Sequence, residues 1–177
     1  MPDRFPEELK FCYWGNPILR KKTVEIENPE SEETGRFVEK MMEKLNEHDG
    51  LGLAANQVNC DRRICLVTFL KKDDYSHVEA LINPQIIEQS GEIMINEEGC
   101  LSFPKLYLQI PRREHIRVRA YIHGKGDVEF EADGLMAEII LHETDHLDGV
   151  VFIDHLTQLR RAMIRKELRL IAREYNE

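Results

Sequence analysis

The chain has 177 residues, 42% of them hydrophobic and 32% charged, which is the composition of an ordinary globular protein and predicts a single domain over residues 1–177. Its formal net charge of −9 argues against a DNA-binding role, because neutralising phosphates requires a basic surface. No apolar run approaches the about 20 residues that a membrane helix needs, and the acidic opening does not resemble a signal peptide. We therefore expect no membrane contact and a cytoplasmic location.

The first predicted element is an N-terminal helix. Ser31 follows a turn and is suited to cap a helix. Phe37, Met41 and Leu45 then recur at helical spacing, so that they share one face. We expect this helix over about residues 32–48.

The middle of the chain predicts strands. Short apolar or alternating runs occupy residues 64–70, 79–82, 85–89, 91–95, 116–122 and 127–131. The two glycines of His123–Gly126 supply a hairpin turn between the last two runs. Because these strands are close in sequence, we expect an α+β fold with antiparallel sheets.

A second helix is expected over residues 135–146. Asp133 is suited to cap it, and Asp148–Gly149 is a stop signal. The helix is apolar on nearly all sides up to Leu141, which predicts a buried central position.

A C-terminal helix is expected over about residues 156–175. Its predicted packing stripe consists of Leu159, Met163, Ile164, Leu168 and Ile171. From residue 156 onwards there are six basic and three acidic residues, so the arginines are predicted to face outward. Such a basic helix is either a docking surface or simply a solvated charged face.

The second helix carries His142-Glu143-Thr144-Asp145-His146, an H-E-x-x-H pattern. Histidines at i and i+4 lie one above the other and can bind one metal ion, while the glutamate lies beside the metal-activated water. Leu135 and Ile139 continue the histidine stripe, which we expect to face inward. A pair of incidental surface histidines is the alternative.

A catalytic metal site needs a third protein ligand, and two residues are candidates. Cys100 follows a glycine, and its thiolate is a strong ligand for zinc or ferrous iron. Glu167 on the last helix would serve in a zinc endopeptidase. The other cysteines, Cys12, Cys60 and Cys65, form no C-x-x-C pair, and reduced thiols are expected.

Gly50–Gln57 is a small, glycine-rich segment directly after the first helix. Its backbone can run close to a ligand, and the Gln57 amide can donate a hydrogen bond to an oxyanion. A glycine-rich turn with only a packing role has the same appearance.

In this order, three segments resemble the peptide deformylase family. Its G-x-G-x-A-A-x-Q, E-G-C-L-S and H-E-x-D-H-L motifs match Gly50–Gln57, Glu98–Ser102 and His142–Leu147. The resemblance covers nearly the whole chain. It implies antiparallel sheets packed around a central metal-binding helix, with an N-terminal and a C-terminal helix, and removal of the formyl group from formylmethionine at the N-terminus of nascent polypeptides.

The resemblance also implies a metal centre. Cys100, His142 and His146 would hold one divalent metal ion, natively ferrous iron and often zinc, nickel or cobalt in preparations. Glu143 would take a proton from the attacking water and return it to the leaving amine. The Gln57 amide and the Leu101 backbone N–H would meet the oxyanion.

The substrate and supporting residues follow from the same resemblance. Contact with the N-formylated peptide is assigned to Gly50, Leu51, Gly52, Glu98, Gly99, Leu135, Glu138 and Ile139. Arg112 and Asp145 resemble a pair that steadies the metal-binding helix. The basic last helix would contact the ribosome.

Four residues depart from the family's pattern: Leu141 replaces a glutamine, Lys105 a glycine and Tyr107 an arginine, and Glu138 places a carboxylate near the methionine pocket. The Glu138 carboxylate either points to solvent or alters the side-chain preference. Two other functions stay open at this point. One is the zinc endopeptidase with Glu167 as third ligand, and the other is a non-catalytic peptide-binding module that contains a metal.

Overall fold

A computed structural model describes residues 3–48, 50–69 and 77–176. Its strands are β1 (Gly52–Ala54), β2 (Ile64–Phe69), β3 (His77–Cys100), β4 (Phe103–Ile122) and β5 (Gly126–Asp133). Its α-helices are α1 (Glu32–Asn46), α2 (Gly134–Leu147), α3 (Gln158–Met163) and α4 (Arg165–Glu174). Short 3-10 helices span Pro17–Arg20, Ala55–Val58 and Phe152–His155.

The strands form one antiparallel sheet in the order β1-β2-β3-β4-β5. The three strand candidates at 79–82, 85–89 and 91–95 are parts of the single long strand β3. Register shifts such as those at Ile82/Gln85 and Ser90/Ile93 interrupt its pairing with β4, and shifts of this kind bend a strand without ending it. The candidate at 64–70 ends at Phe69, and Leu70 lies outside the described residues.

Helix α2 packs against the middle of this sheet, as the sequence predicts. Ala137, Ile140 and Leu147 are fully buried and share a core with residues of β2 and β4 such as Val67 and Val118. Each fully buried isoleucine or leucine contributes about 1.5–3 kcal/mol to the free energy of folding. The metal-binding motif therefore lies on a rigid element.

Helix α1 closes a second core at one end of the sheet. The Ser31 side chain accepts a hydrogen bond from the backbone N–H of Thr34, which confirms the predicted cap. Phe37, Met41 and Leu45 are buried against β1 and β2, also as predicted. The helix ends at Asn46, two residues before the predicted end.

The C-terminal helix is two helices, which corrects the prediction of a single one. Leu159 and Met163 on α3 are 74% and 73% exposed and do not belong to a packing stripe. The helix is interrupted at Ile164, which ends α3 and begins α4. Leu168 and Ile171 of α4 therefore pack into a third core, with residues such as Phe103 and Phe152. No helix within the described ranges is both long and apolar enough to cross a membrane.

Candidate metal centre and active site

A cavity of about 580 Å³ opens where α2 meets the ends of β1 and β3. Gln57, Cys100, Leu101, His142 and Glu143 lie in its wall. All eight residues that the resemblance assigns to substrate contact also line it, namely Gly50, Leu51, Gly52, Glu98, Gly99, Leu135, Glu138 and Ile139.

Three potential metal ligands converge beside this cavity. The ligand atoms of Cys100, His142 and His146 all lie within 4.8 Å of one another, and Cys100 Sγ is 3.2 Å from His146 Nε2. His142 Nδ1 donates to Glu98 Oε2 over 2.8 Å, which leaves His142 Nε2 for a metal. A thiolate and two imidazoles form a donor set that fits a divalent transition metal.

Glu167 does not take part in this group, so the interpretation of Glu167 as third ligand is wrong. Its side chain is exposed on α4, on the third core's outer side, whereas the cluster found in the described part of the chain consists of Cys100, His142 and His146. The amphipathic spacing of α4 explains this, because Leu168 takes the inward position.

Behind the histidines, a buried ion network fixes the ring of His142. Glu98 accepts two hydrogen bonds from Arg112, at 2.7 and 3.1 Å, in addition to that from His142. Arg112 also donates to Asp145, which confirms the expected pair, and His155 Nε2 lies 2.7 Å from Asp145 Oδ2. Burial alone would raise the pKa of Glu98, but the hydrogen bonds from His142 and Arg112 outweigh it and lower that pKa.

Glu143 lies on α2 with its carboxylate facing Gly52 of β1. Its side chain is almost fully buried, and this burial raises its pKa to about 7. Glu143 Oε2 has no hydrogen-bond partner among the described residues. A Cβ atom at residue 52 would lie 2.8 Å from Glu143 Cγ and Cδ, so the glycine permits this close approach.

The glycine-rich segment places Gln57 against the thiol. Gln57 Oε1 accepts a hydrogen bond from the Ala54 backbone N–H over 2.8 Å, which fixes the amide orientation. Gln57 Nε2 then points to Ser102 Oγ at 3.1 Å and to Cys100 Sγ at 3.5 Å. The amide is therefore a hydrogen-bond donor aimed at the metal side of the cavity.

Two residues of the site differ from the sequence expectation. Leu135 is 45% exposed at the cavity mouth and does not face inward with Ile139 and the histidines. Glu138 does not point to solvent: it is 7% exposed, and its Oε2 accepts a hydrogen bond from Asn96 Nδ2 over 2.8 Å.

Sequence reasoning missed Asn96, His155 and the far cavity wall of Tyr13, His48 and Tyr175. Asn96 had a usable signal, because residues two apart on a strand share a face and Glu98 was already a candidate. Tyr13 and Tyr175 gave no signal in the sequence, because they come together only when the two ends of the chain pack against each other.

Two departures from the family's pattern lie at the cavity mouth. Lys105 adopts a φ of 63°, which lies in the left-handed region that favours glycine. The backbone at this position therefore has a conformation that suits the glycine of the family's pattern. Tyr107 is 65% exposed, and its ring covers Gly99 so closely that a Cβ there would lie 2.7 Å from Tyr107 Cε1. Leu141 is buried on the side of α2 away from this cavity.

Comparisons with known proteins agree with this geometry. The sequence model described as polypeptide deformylase matches residues 8–162. A peptide deformylase from Thermotoga neapolitana is 40% identical over 161 residues, which cover 90% of this chain and 94% of that protein. One from Tolumonas auensis is 41% identical over 170 residues, which cover 96% and 94%.

The fold agrees as well. A crystal structure of a plant peptide deformylase superposes with a TM-score of 0.86 at 30% identity, covering 95% of this chain and 91% of that one. Residues 8–162, which the family model matches, contain the central helix, the long strand pair and all three motif segments. The chain belongs to the peptide deformylase family.

Proposed function

We propose that Cys100, His142 and His146 hold the divalent metal with which this chain, as a single catalytic domain over residues 1–177, removes the formyl group from the N-terminus of nascent polypeptides. The observation that carries the proposal is the convergence of one thiol and two imidazoles within 4.8 Å, beside a buried carboxylate in the same cavity. A non-catalytic module would not need Glu143 at that position.

The chain's own residues supply proton transfer. When bound, the metal acts as a Lewis acid and activates water near neutral pH. Glu143 lies in the cavity wall with Oε2 free of hydrogen-bond partners in the described part of the chain, so its carboxylate is suited to take the water proton and to deliver it to the leaving amide nitrogen. Formate and a free N-terminal amine result.

Other residues orient the substrate and stabilise charge. The Gln57 Nε2 donor and the Leu101 backbone N–H are proposed to meet the oxyanion that develops on the formyl oxygen. Gly52 of β1 and Gly99 of β3 line the same cavity, and β1 is an edge strand, whose backbone is suited to pair with an extended peptide.

A product analysis with metal-loaded protein tests the reaction. Incubation with formyl-Met-Ala-Ser should release formate and Met-Ala-Ser, identified by mass spectrometry. The N-acetyl peptide serves as the matched control, because its extra methyl group crowds the reacting carbonyl. Cleavage of a peptide bond would favour the endopeptidase, and binding without any product would favour the non-catalytic module.

Ferrous iron is proposed as the native metal, with zinc, nickel or cobalt able to replace it. A thiolate and two imidazoles suit iron as well as zinc, and a half-buried Cys100 is open to oxidation once iron meets oxygen. Elemental analysis of anaerobically purified protein identifies the metal. Full activity after prolonged aerobic handling would contradict iron.

Ribosome contact in the cytoplasm is proposed for the basic C-terminal helices. Arg165 and Arg169 are exposed on α4, whereas Arg161 is engaged with the Ile153 carbonyl and Asp154. The double variant Arg165→Glu, Arg169→Glu should co-sediment with ribosomes less than the wild-type protein does. The difference between the two proteins should be smaller at high salt, because salt screens the electrostatic contact.

The control for that experiment reverses the same amount of charge elsewhere. Arg36→Glu with Lys40→Glu changes α1, at the other end of the sheet. Equal loss of co-sedimentation in both double variants would mean that net charge, rather than the C-terminal helices, determines ribosome binding.

A further inference from the structure

The cavity wall contains a buried carboxylate that neither metal binding nor proton transfer uses. Glu138 is 7% exposed and lies in the wall of the cavity that contains Cys100 and Glu143. In the described part of the chain, its hydrogen bond comes from the neutral amide of Asn96, over 2.8 Å. The nearby cation Arg112 is already engaged by Glu98 and Asp145.

Glu138 is positioned to meet one particular part of the substrate. It precedes His142 by four residues, which is slightly more than one helical turn, or about 6 Å along α2. In a formyl-peptide, about 2.8 Å of bonds separate the formyl carbon from the first Cα atom. The first side chain therefore starts beside the metal and can reach the turn that carries Glu138 and Ile139.

The carboxylate makes this pocket unlike a purely apolar one. A buried carboxylate has room for several hydrogen bonds, and leaving it against an apolar ligand costs the free energy of desolvation. Burial also raises the pKa of Glu138, since the Asn96 hydrogen bond does not compensate for it fully. A ligand side chain that donates a hydrogen bond would satisfy the free oxygen.

We infer that Glu138, held in place by Asn96, is a specificity-determining residue that makes this enzyme accept formyl-peptides whose first side chain ends in a hydrogen-bond donor. This inference rests on the proposed deformylase function. Glu138 selects among substrates through direct contact with the first side chain, and Asn96 acts as a positioning residue through Glu138. The substrate class is thereby wider than formylmethionine and includes amide and ammonium side chains.

The test compares three formyl tripeptides X-Ala-Ser, where X is norleucine, glutamine or lysine. The measured quantity is the ratio of kcat/KM for the glutamine or lysine peptide to that for the norleucine peptide, in metal-loaded protein. Glu138→Leu should lower both ratios by at least about tenfold, because it removes the acceptor and favours the apolar chain. Glu131→Leu, an equal change at an exposed position of β5, should leave both ratios within about twofold.

Glu138→Gln is the second variant and keeps the volume and a polar contact to Asn96. It should lower kcat/KM for the lysine peptide, relative to that for the glutamine peptide, by about tenfold, because the variant loses the negative charge of Glu138 but keeps a hydrogen-bond acceptor. If Glu138→Leu does not fold, Glu138→Gln alone tests whether Glu138 selects among the substrates. Calorimetric titration of the Glu143→Ala variant with the same peptides should give the same ranking of Kd without turnover.

The outcomes separate the two claims. Ratios that Glu138→Leu and Glu138→Gln leave within about twofold of the wild-type values would overturn the role of Glu138 while the deformylase function stands. No formate from any peptide, norleucine included, would overturn the proposed function itself.

Discussion

Replacing Gly52 by alanine tests whether the position of the Glu143 carboxylate controls the reaction. A Cβ atom at residue 52 would lie 2.8 Å from Glu143 Cγ and Cδ, whereas ordinary van der Waals contact begins at 3.4 Å. Glu143 is buried on a rigid helix, so its side chain must move by about 0.6 Å or more to make room. The Glu143 carboxylate is then displaced from the position in which it accepts and delivers the proton.

The expected size of the effect follows from that displacement. A misplacement of about 1 Å in a catalytic group costs about 10²-fold in rate. We therefore expect Gly52→Ala to lower kcat for formyl-Met-Ala-Ser by about tenfold to a hundredfold, which corresponds to about 1.4–2.7 kcal/mol in the activation free energy. Metal content should not change, because the added Cβ faces Glu143 and not the ligand atoms.

Gly35→Ala provides the matched control. It adds the same methyl group on α1, where the nearest atom is the His123 ring at 2.9 Å, outside the cavity. Its kcat should stay within about twofold of the wild-type value. A Gly52→Ala variant with wild-type kcat would refute the link between Glu143 position and rate, and one that loses the metal would show that the displacement reaches the ligands.

Three further substitutions test the supports of the site and the fold. Arg112→Met removes two of the three hydrogen bonds that Glu98 accepts, so metal affinity measured by chelator competition should fall by about 10–100-fold. Gly149→Ala adds a Cβ 2.7 Å from the Arg20 carbonyl oxygen at a φ of 74°, and should lower the free energy of unfolding by about 2–4 kcal/mol in urea titrations. Asp154→Asn should destabilise the protein at pH 7, and progressively less as the pH falls below 3.8. Burial would raise the pKa of Asp154, but its hydrogen bonds lower it below 3.8, so its contribution is present above that pH and is lost as pH falls through the lowered value.

Each of these expectations has a clear contrary result. Unchanged metal affinity in Arg112→Met would mean that Glu98 orients His142 without its arginine. Wild-type stability of Gly149→Ala would mean that the Arg20 carbonyl moves freely. A destabilisation by Asp154→Asn that does not change as the pH falls below 3.8 would assign it to lost packing rather than to charge.

Local patterns predicted the parts of the site that local structure determines. The i, i+4 spacing of His142 and His146 requires only a helix, and the apolar run up to Leu141 predicted that helix and its burial. The E-G-C-L-S segment identified Cys100, but the residues alone left Glu167 as an alternative. Only the packing of α4, which turns Leu168 inward, resolves that choice.

The features that sequence reasoning missed depend on long-range contacts. The sequence predicts three short strands where the structure has the single strand β3, because residues such as Asn83 and Gly91 are typical of turns. In the structure they lie beside register shifts inside one strand. The hydrogen bond between Asn96 and Glu138 joins β3 to α2 across 42 positions, so neither residue alone indicates it. The break at Ile164 likewise reflects the third core rather than helical propensity.

The most direct test of the proposed metal centre and its base is formate release by wild-type protein and Glu143→Ala at equal metal content. Wild-type protein prepared without oxygen should deformylate formyl-Met-Ala-Ser rapidly. Glu143→Ala should bind the same amount of metal and release formate at least about 10²-fold more slowly, since it lacks the proton acceptor. Equal rates in the two proteins would contradict the role assigned to Glu143.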